Sequence, residues 1–444
     1  MSIRSLFPTD QPSLVLDFAN SRRLDPRITF TRVQTGNVSS YMGPDGLIKY
    51  AGQDQPRFDH RYNSATGEIE SLGLLIEETR TNLLLRSEEL ENNTSWATDN
   101  SGLTITANSV ISPSGIQNAD TLAEAATNTQ HNRYQSVGLV STTTSYTFSV
   151  FLKPNTVTRV RLGFGYAGIG GGGWALFNLA NGTIISTTAS GSDPGTNLSS
   201  GITQYPNGWF RCTFTVTPSR NNLTYFAGVS LLNSANNDTY LGSTANNLYA
   251  WGAQLEVGAS QTSYIPTSGS SVTRNIDKAF IPDCSIYPWY NASEGSVVFE
   301  HNGVTPITTS LNFPAWGFAE TNTGKSSFCK QIFFVKNDLT HYFLVRDGIA
   351  NDQVVQQVSS GATSRATHSF GYKENNFAAY YAGNQYAAPD YSGTSPVNSH
   401  SLNLAINDWS SGGGDSSTTS STTRRFLYYP TRISDSHLQQ LTKD

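Results

Sequence analysis

The chain has 444 residues and a formal net charge of -5, and only 14% of it is Asp, Glu, Lys or Arg, where globular proteins average about a quarter. That length exceeds what one hydrophobic core organises, so two or three domains are expected. No basic tract offers counterion release to DNA or RNA, and no stretch reaches the roughly 20 apolar residues of a spanning helix. Nucleic-acid binding and helical membrane insertion therefore drop out of the expectations.

Gly, Ser, Thr, Asn and aromatic residues take the place of charge, the mixture expected of short strands joined by polar turns. The first eight residues, Met1 to Pro8, lack the apolar run of a secretory signal. Cys212, Cys284 and Cys329 lie far apart, so neither a zinc site nor a disulfide framework follows. An extracellular-looking composition without signal or disulfides fits a virion protein released by lysis, and a cytosolic protein satisfies it as well.

In the first 80 residues, Leu14–Phe18 and Ile28–Val33 read as short strands and Gly43–Gly46 as a turn. This stretch has too little regular pattern for a core of its own, so it is expected to drape over a neighbouring domain or another subunit. Regular alternation then begins. Tyr146, Phe148, Val150 and Leu152 share a face, as do Val160, Leu162, Phe164 and Tyr166. Phe210, Cys212, Phe214 and Val216 form a third set, and Tyr249, Trp251, Ala253 and Leu255 a fourth.

Asn181-Gly182 and Asn207-Gly208 mark turns between them, so a sandwich or jelly roll is predicted. Gly170–Gly173 reads as a flexible tip. No Gly-Lys-Ser/Thr follows it to make a phosphate loop. Pro266–Ser271 reads as a linker. Strands over 296–300, 331–335 and 341–345 open a second β-rich region. Residues 410–423 read as a polar loop, 425–429 as a strand, and Asp435–Leu441 as a short helix capped by Ser434. No heptad stalk is present, so any trimer would form through domains or the N-terminal segment.

Four ordered stretches resemble a family of phage tail and virion structural proteins: Leu16–Arg32, Pro56–His60, Gly73–Leu84, and Gly252–Glu256 leading to Tyr264–Ser268. The resemblance implies a place on a phage particle and implies no ligand. Residues 81–275 also look like the jelly roll of carbohydrate-binding modules attached to xylanases and cellulases. The C-terminal third, and Arg424–Leu441 above all, is similar to concanavalin A and laminin-G sandwiches. The expected fold is accordingly all-β. It comprises an extended attachment segment (1–80), a carbohydrate-binding-module-like jelly roll (81–275) and a concanavalin A/laminin-G-like sandwich (276–444).

Glycoside hydrolysis needs two carboxylates facing across a cleft. Here Glu68, Glu70, Glu77 and Glu78 cluster early in the chain and read as solvating or salt-linked groups. The seven histidines have no metal-ligand spacing, there is no G-x-S-x-G, and Cys212 reads as a small core residue. No catalytic residue, metal or cofactor is expected, although a structural calcium, common in jelly rolls, is left open.

Sugar binding instead takes an aromatic face for the pyranose C–H surface and polar groups for its hydroxyls. Phe177 and Leu179 point inward, which turns Trp174 outward beside the glycine tip. Tyr134 follows Asn132-Arg133, and Trp209 alternates against Phe210 and Cys212, as does Arg211. Tyr380, Tyr381, Tyr386 and Tyr391 lie in a Gly-, Asn- and Pro-rich stretch suited to loop contacts. The candidate carbohydrate contacts are Trp174, Tyr134, Trp209, Arg211, Tyr386 and Tyr391, each with packing under a loop or interface as its structural alternative.

The resulting expectation is a non-enzymatic virion protein on the particle exterior. As a tail-fibre or receptor-binding component it would contact host surface glycan, other virion proteins and copies of itself in a homotrimer. A capsid decoration or head-fibre protein is the alternative, and a polysaccharide-degrading enzyme with a binding module is the rival of another class.

Overall fold

The computed structural model describes residues 10–138, 141–166, 172–189, 194–221, 224–305, 312–319, 329–336, 340–346, 352–359, 365–386, 392–393, 401–404 and 420–443. Almost all regular structure is antiparallel strand, as the sequence predicted. The C-terminal helix Asp435–Gln440 is the longest helix among the described residues, and the Ser434 side chain caps it by accepting from the His437 amide.

One sandwich is contiguous. Its five-stranded sheet runs, in spatial order, Asn132–Val137, Tyr225–Leu232, Arg159–Tyr166, Gly172–Asn178 and Thr183–Ala189. Its six-stranded sheet runs Thr196–Gln204, Phe210–Thr217, Tyr146–Pro154, Asn247–Val257, Gln117–Glu124 and Leu103–Ile111. The predicted alternations meet between these sheets: Phe148, Val150, Leu152, Val160, Leu162, Phe164, Cys212, Phe214 and Val216 share one core.

The fourth alternation breaks at a bulge. Gly252 has φ +64° and the register against the neighbouring strand shifts there, the extra residue of a glycine bulge. Leu248 and Ala250 therefore face the core before it, and Ala253 and Leu255 after it. Tyr249 and Trp251 turn to the opposite face, into a second cluster with Phe151, Trp209 and Tyr264.

The second sandwich is built from both ends of the chain. Its eight-stranded sheet places Ser420–Tyr429 between Glu294–Thr305 on one side and two early strands, Leu14–Asp17 and Glu68–Ile76, end to end on the other. Arg57–Asn63 extends the sheet beyond Glu68–Ile76. In the facing seven-stranded sheet, Thr29–Thr31 pairs with Lys278–Ile281. The N-terminal residues are thus not a separate extended arm. Leu14, Leu16, Phe18, Phe30, Leu74 and Ile76 belong to the same core as Val297, Phe370 and Phe426. The early strands find their core within the chain, and the first sandwich is an insertion into the second.

The chain crosses between the two at a neck, where Arg80–Asn82 pairs with Val272–Arg274. Buried charges fix it. Arg57 donates to Glu77 Oε2 at 2.6 Å and to Asp277 Oδ2 at 2.5 Å, Arg32 to Asp277 Oδ1 at 2.7 Å, and Arg274 lies 3.0 Å from Glu77. Burial alone would raise the Glu77 carboxyl, but Arg274 and Arg57 hold it down at about 2. Asn82 closes the joint, donating to the Ala253 and Ile265 carbonyls and accepting from the Leu84 and Leu255 amides. Arg32, Arg57, Glu77 and Asn82 of this neck come from three of the four ordered stretches of the sequence.

Candidate functional site

The outer face of the five-stranded sheet is where two predicted residues come together. Alternation commits Val160, Leu162, Ala175, Phe177, Ala227 and Val229 to the core, so their neighbours emerge on the other side. Register then fixes a row across four strand boundaries: Tyr134 opposite Gly228, Gly228 opposite Gly163, Gly163 opposite Trp174, and Trp174 opposite Thr188. Two aromatics stand at opposite sides of a pair of glycines. Gly228 could not be otherwise, since a Cβ there would lie 2.5 Å from the Tyr134 Cβ. Trp174 and Tyr134 are half-buried, and Phe226 meets the Tyr134 ring edge-on at 5.3 Å.

A polar chain links the two aromatics. The Arg161 guanidinium carbon lies 5.8 Å from the centre of the Trp174 ring, and its Nη2 donates to Asp238 Oδ2 at 2.5 Å. Gln130 donates to the same oxygen at 3.0 Å and accepts from Asn132 at 3.3 Å. Asn132 also donates to Asp99 Oδ2 at 2.7 Å, and the Tyr134 hydroxyl donates to Asp99 Oδ1 at 2.9 Å. Burial, helped by the Asp99 bond, raises the Tyr134 hydroxyl above its ordinary range, so it stays a donor. Burial lowers Arg161 against the opposing pull of Asp238. An aromatic face beside fixed donors and acceptors is the combination that pyranose recognition uses. Arg161 alternates with Val160 and Leu162, so its outward direction was readable. The partners Asp238, on a loop, and Asp99, in the short 3-10 turn Asp99–Ser101, are located by no periodicity.

Beyond Tyr134 lies a cavity of about 460 Å³ lined by Glu91, Asn93, Trp96, Thr98, Leu103 and Arg133, among others. Burial, with the neighbouring Glu91 carboxyl, raises Asp120 to about 7. Asp120 accepts from the Leu90 and Asn108 amides.

The other expected contacts fall elsewhere. Trp209 and Arg211 do point away from Phe210 and Cys212, but that face of the six-stranded sheet is covered, and both are buried. Trp209 Nε1 donates to the Ile111 carbonyl at 3.3 Å. Arg211 donates to the Thr262 carbonyl and Ser149 Oγ, and lies over Phe151. Alternation gave the face correctly and could not show what covers it. Tyr386 is also buried, its hydroxyl 2.5 Å from His368 Nδ1, because its loop folds back into the second core. Tyr391 lies outside the described residues.

Sequence spacing missed one further assembly. His301, His341 and His368 are fully buried on three different strands, with Nε2 of His301 and His368 3.2 Å apart and the His341 and His368 rings 4.8 Å apart. Among the described residues, no group of three or more His, Cys, Asp or Glu is arranged to hold a metal ion.

No family model matches this chain, and no curated protein matches it in sequence. Solved structures do. The CBM40 module of a Ruminococcus gnavus IT-sialidase bound to α2,3-sialyllactose shows 12% identity and a TM-score of 0.28, covering 37% of this chain and 91% of the module. A Trypanosoma rangeli sialidase in complex with sialic acid shows 12% identity and a TM-score of 0.29, over 73% of this chain and 60% of its own. Mouse laminin α1 domains LG4-5 give 9% and 0.20, over 69% and 86%. Likeness at this level assigns no residue and no ligand to this chain.

Proposed function

We propose that this chain is a non-enzymatic, glycan-binding structural protein on the exterior of a phage particle. It serves there as a tail-fibre or receptor-binding component, assembled as a homotrimer with other virion proteins. The observation that carries the binding reading is the register row Tyr134–Gly228–Gly163–Trp174 with its attached polar chain. A single stacked sugar contributes about 1–3 kcal/mol, so one site binds weakly and several copies on a particle supply the avidity. On a glycan array the protein should bind, and Trp174→Ala should abolish that binding while leaving the melting temperature nearly unchanged. A large fall in stability would mark Trp174 as a packing residue and remove the reading.

The virion reading rests on the four ordered stretches and their shared place around the neck. Labelled antibody on purified particles separates tail from capsid decoration, and light scattering on the purified protein reports whether it is a trimer. An assay for new reducing ends on bound glycans tests binding against hydrolysis directly.

A further inference from the structure

We infer that the face around Trp174 selects neutral sugars presenting two adjacent hydroxyls and rejects acidic sugars, an inference that rests on the glycan-binding reading above. The argument turns on Arg161. An arginine beside an exposed aromatic is usually a receptor for a carboxylate, because its planar fork matches two oxygens. Here the charge is already answered. Nη2 is bonded to Asp238, whose oxygens also accept from Gln130 and from the Thr239 hydroxyl. An acidic sugar would have to displace Asp238, leaving that carboxylate without its cation.

A neutral diol meets no such cost. Arg161 is 9% exposed and its Nε has no hydrogen-bond partner, whereas a buried donor without one is expensive to leave so. One sugar hydroxyl accepting from the Arg161 guanidinium and its neighbour donating to the part-exposed Asp238 carboxylate would complete both groups without changing net charge. Trp174 covers the guanidinium, so the indole must shift to admit the hydroxyl while its face takes the sugar ring. It is the half-buried tryptophan of this face, while Trp96, Trp209, Trp251, Trp289 and Trp316 are buried, so binding should change its fluorescence.

The test is an array carrying neutral glycans (terminal glucose, galactose, mannose, N-acetylglucosamine) beside acidic ones (terminal sialic, glucuronic and galacturonic acid), probed with the full chain and with Asp238→Asn. The wild type should bind neutral members in a Trp174-dependent way. Asp238→Asn should lose at least tenfold on those and gain binding to acidic members, because Arg161 is then free to take a carboxylate. Trp174-dependent binding of acidic glycans by the wild type would overturn the inference and leave the glycan-binding reading standing. An unchanged neutral affinity in Asp238→Asn would also overturn it. No glycan binding at all would remove both. Should the variant fail to melt cooperatively, the neutral-against-acidic ratio of the wild type decides alone.

Discussion

The two sandwiches of this protein are assembled from very different distances along the chain. The inserted one draws its core from residues between Leu84 and Leu255. The outer one joins residues such as Ser13 and Tyr428, which share a hydrogen bond although 415 positions apart. Its interior is also chemically different. It encloses three imidazoles, whereas the inserted core between the sheets is aliphatic and aromatic, with one thiol. A contiguous core can close as soon as its own segment is present. A divided one depends on the whole chain and on the neck that holds its halves in register.

Excision puts that contrast to its strongest test. Residues 80–275 expressed alone should melt cooperatively, whereas residues 276–443 should not fold, because Leu14–Asp17, Arg57–Asn63 and Glu68–Ile76 are missing from their main sheet. Cooperative melting of the second fragment by calorimetry would break the comparison.

The same contrast sets how much could be read from the sequence. Period-2 alternation placed the strands around Phe148, Leu162 and Phe214 correctly, because each is local and one face is buried. It put Trp251 on the wrong face because a single bulge at Gly252 reverses everything before it. It turned Trp174 outward, and it could not foresee that the outward face bearing Trp209 and Arg211 is covered. Pairings such as Leu14 with Tyr428 leave no trace in local pattern, so the early strands looked ownerless. The three histidines are adjacent only in space.

A substitution at the neck should come next in size. Glu77→Gln takes the carboxylate from Arg274 and leaves Arg57 to share Asp277 with Arg32, three buried guanidiniums to one carboxylate, and breaking such a group costs about 3–5 kcal/mol. Chemical denaturation should show the loss. A change under about 1 kcal/mol would mean that the neck is not what holds the halves together.

Acid should act on the outer sandwich through its histidines. Burial, with the neighbouring imidazoles, depresses His341 to about 3 and His368 well below its ordinary value, against about 6.5 in an unfolded chain. Both are neutral when folded, so the unfolded state binds more protons below pH 6.5. The stability present above that pH is lost at about 1.4 kcal/mol per unit per histidine as pH falls towards the folded values. The facing Tyr386 hydroxyl, raised well above its ordinary value by burial, carries no charge in this range to oppose it. His341→Phe should flatten the slope of stability against pH by about one proton, and an unchanged slope would remove the cluster from the account. The smallest effect is expected at Trp174→Ala, which should alter stability by less than about 1 kcal/mol, since the ring is half exposed.

The division of the outer sandwich also sets a timetable for its making. Arg424, which donates to the Ser71 carbonyl, lies 353 positions downstream of it. At roughly 5–20 residues per second the ribosome needs on the order of 20–70 s to deliver it. Through that interval Leu74, Leu75 and Ile76 have no strand Ser420–Tyr429 to pair with, while the inserted sandwich has all of its own residues, and can close, once the chain has passed Val257. A nascent chain in this state carries a finished domain beside an open, apolar sheet edge, which is the form in which a stray strand or a second nascent chain can pair with it.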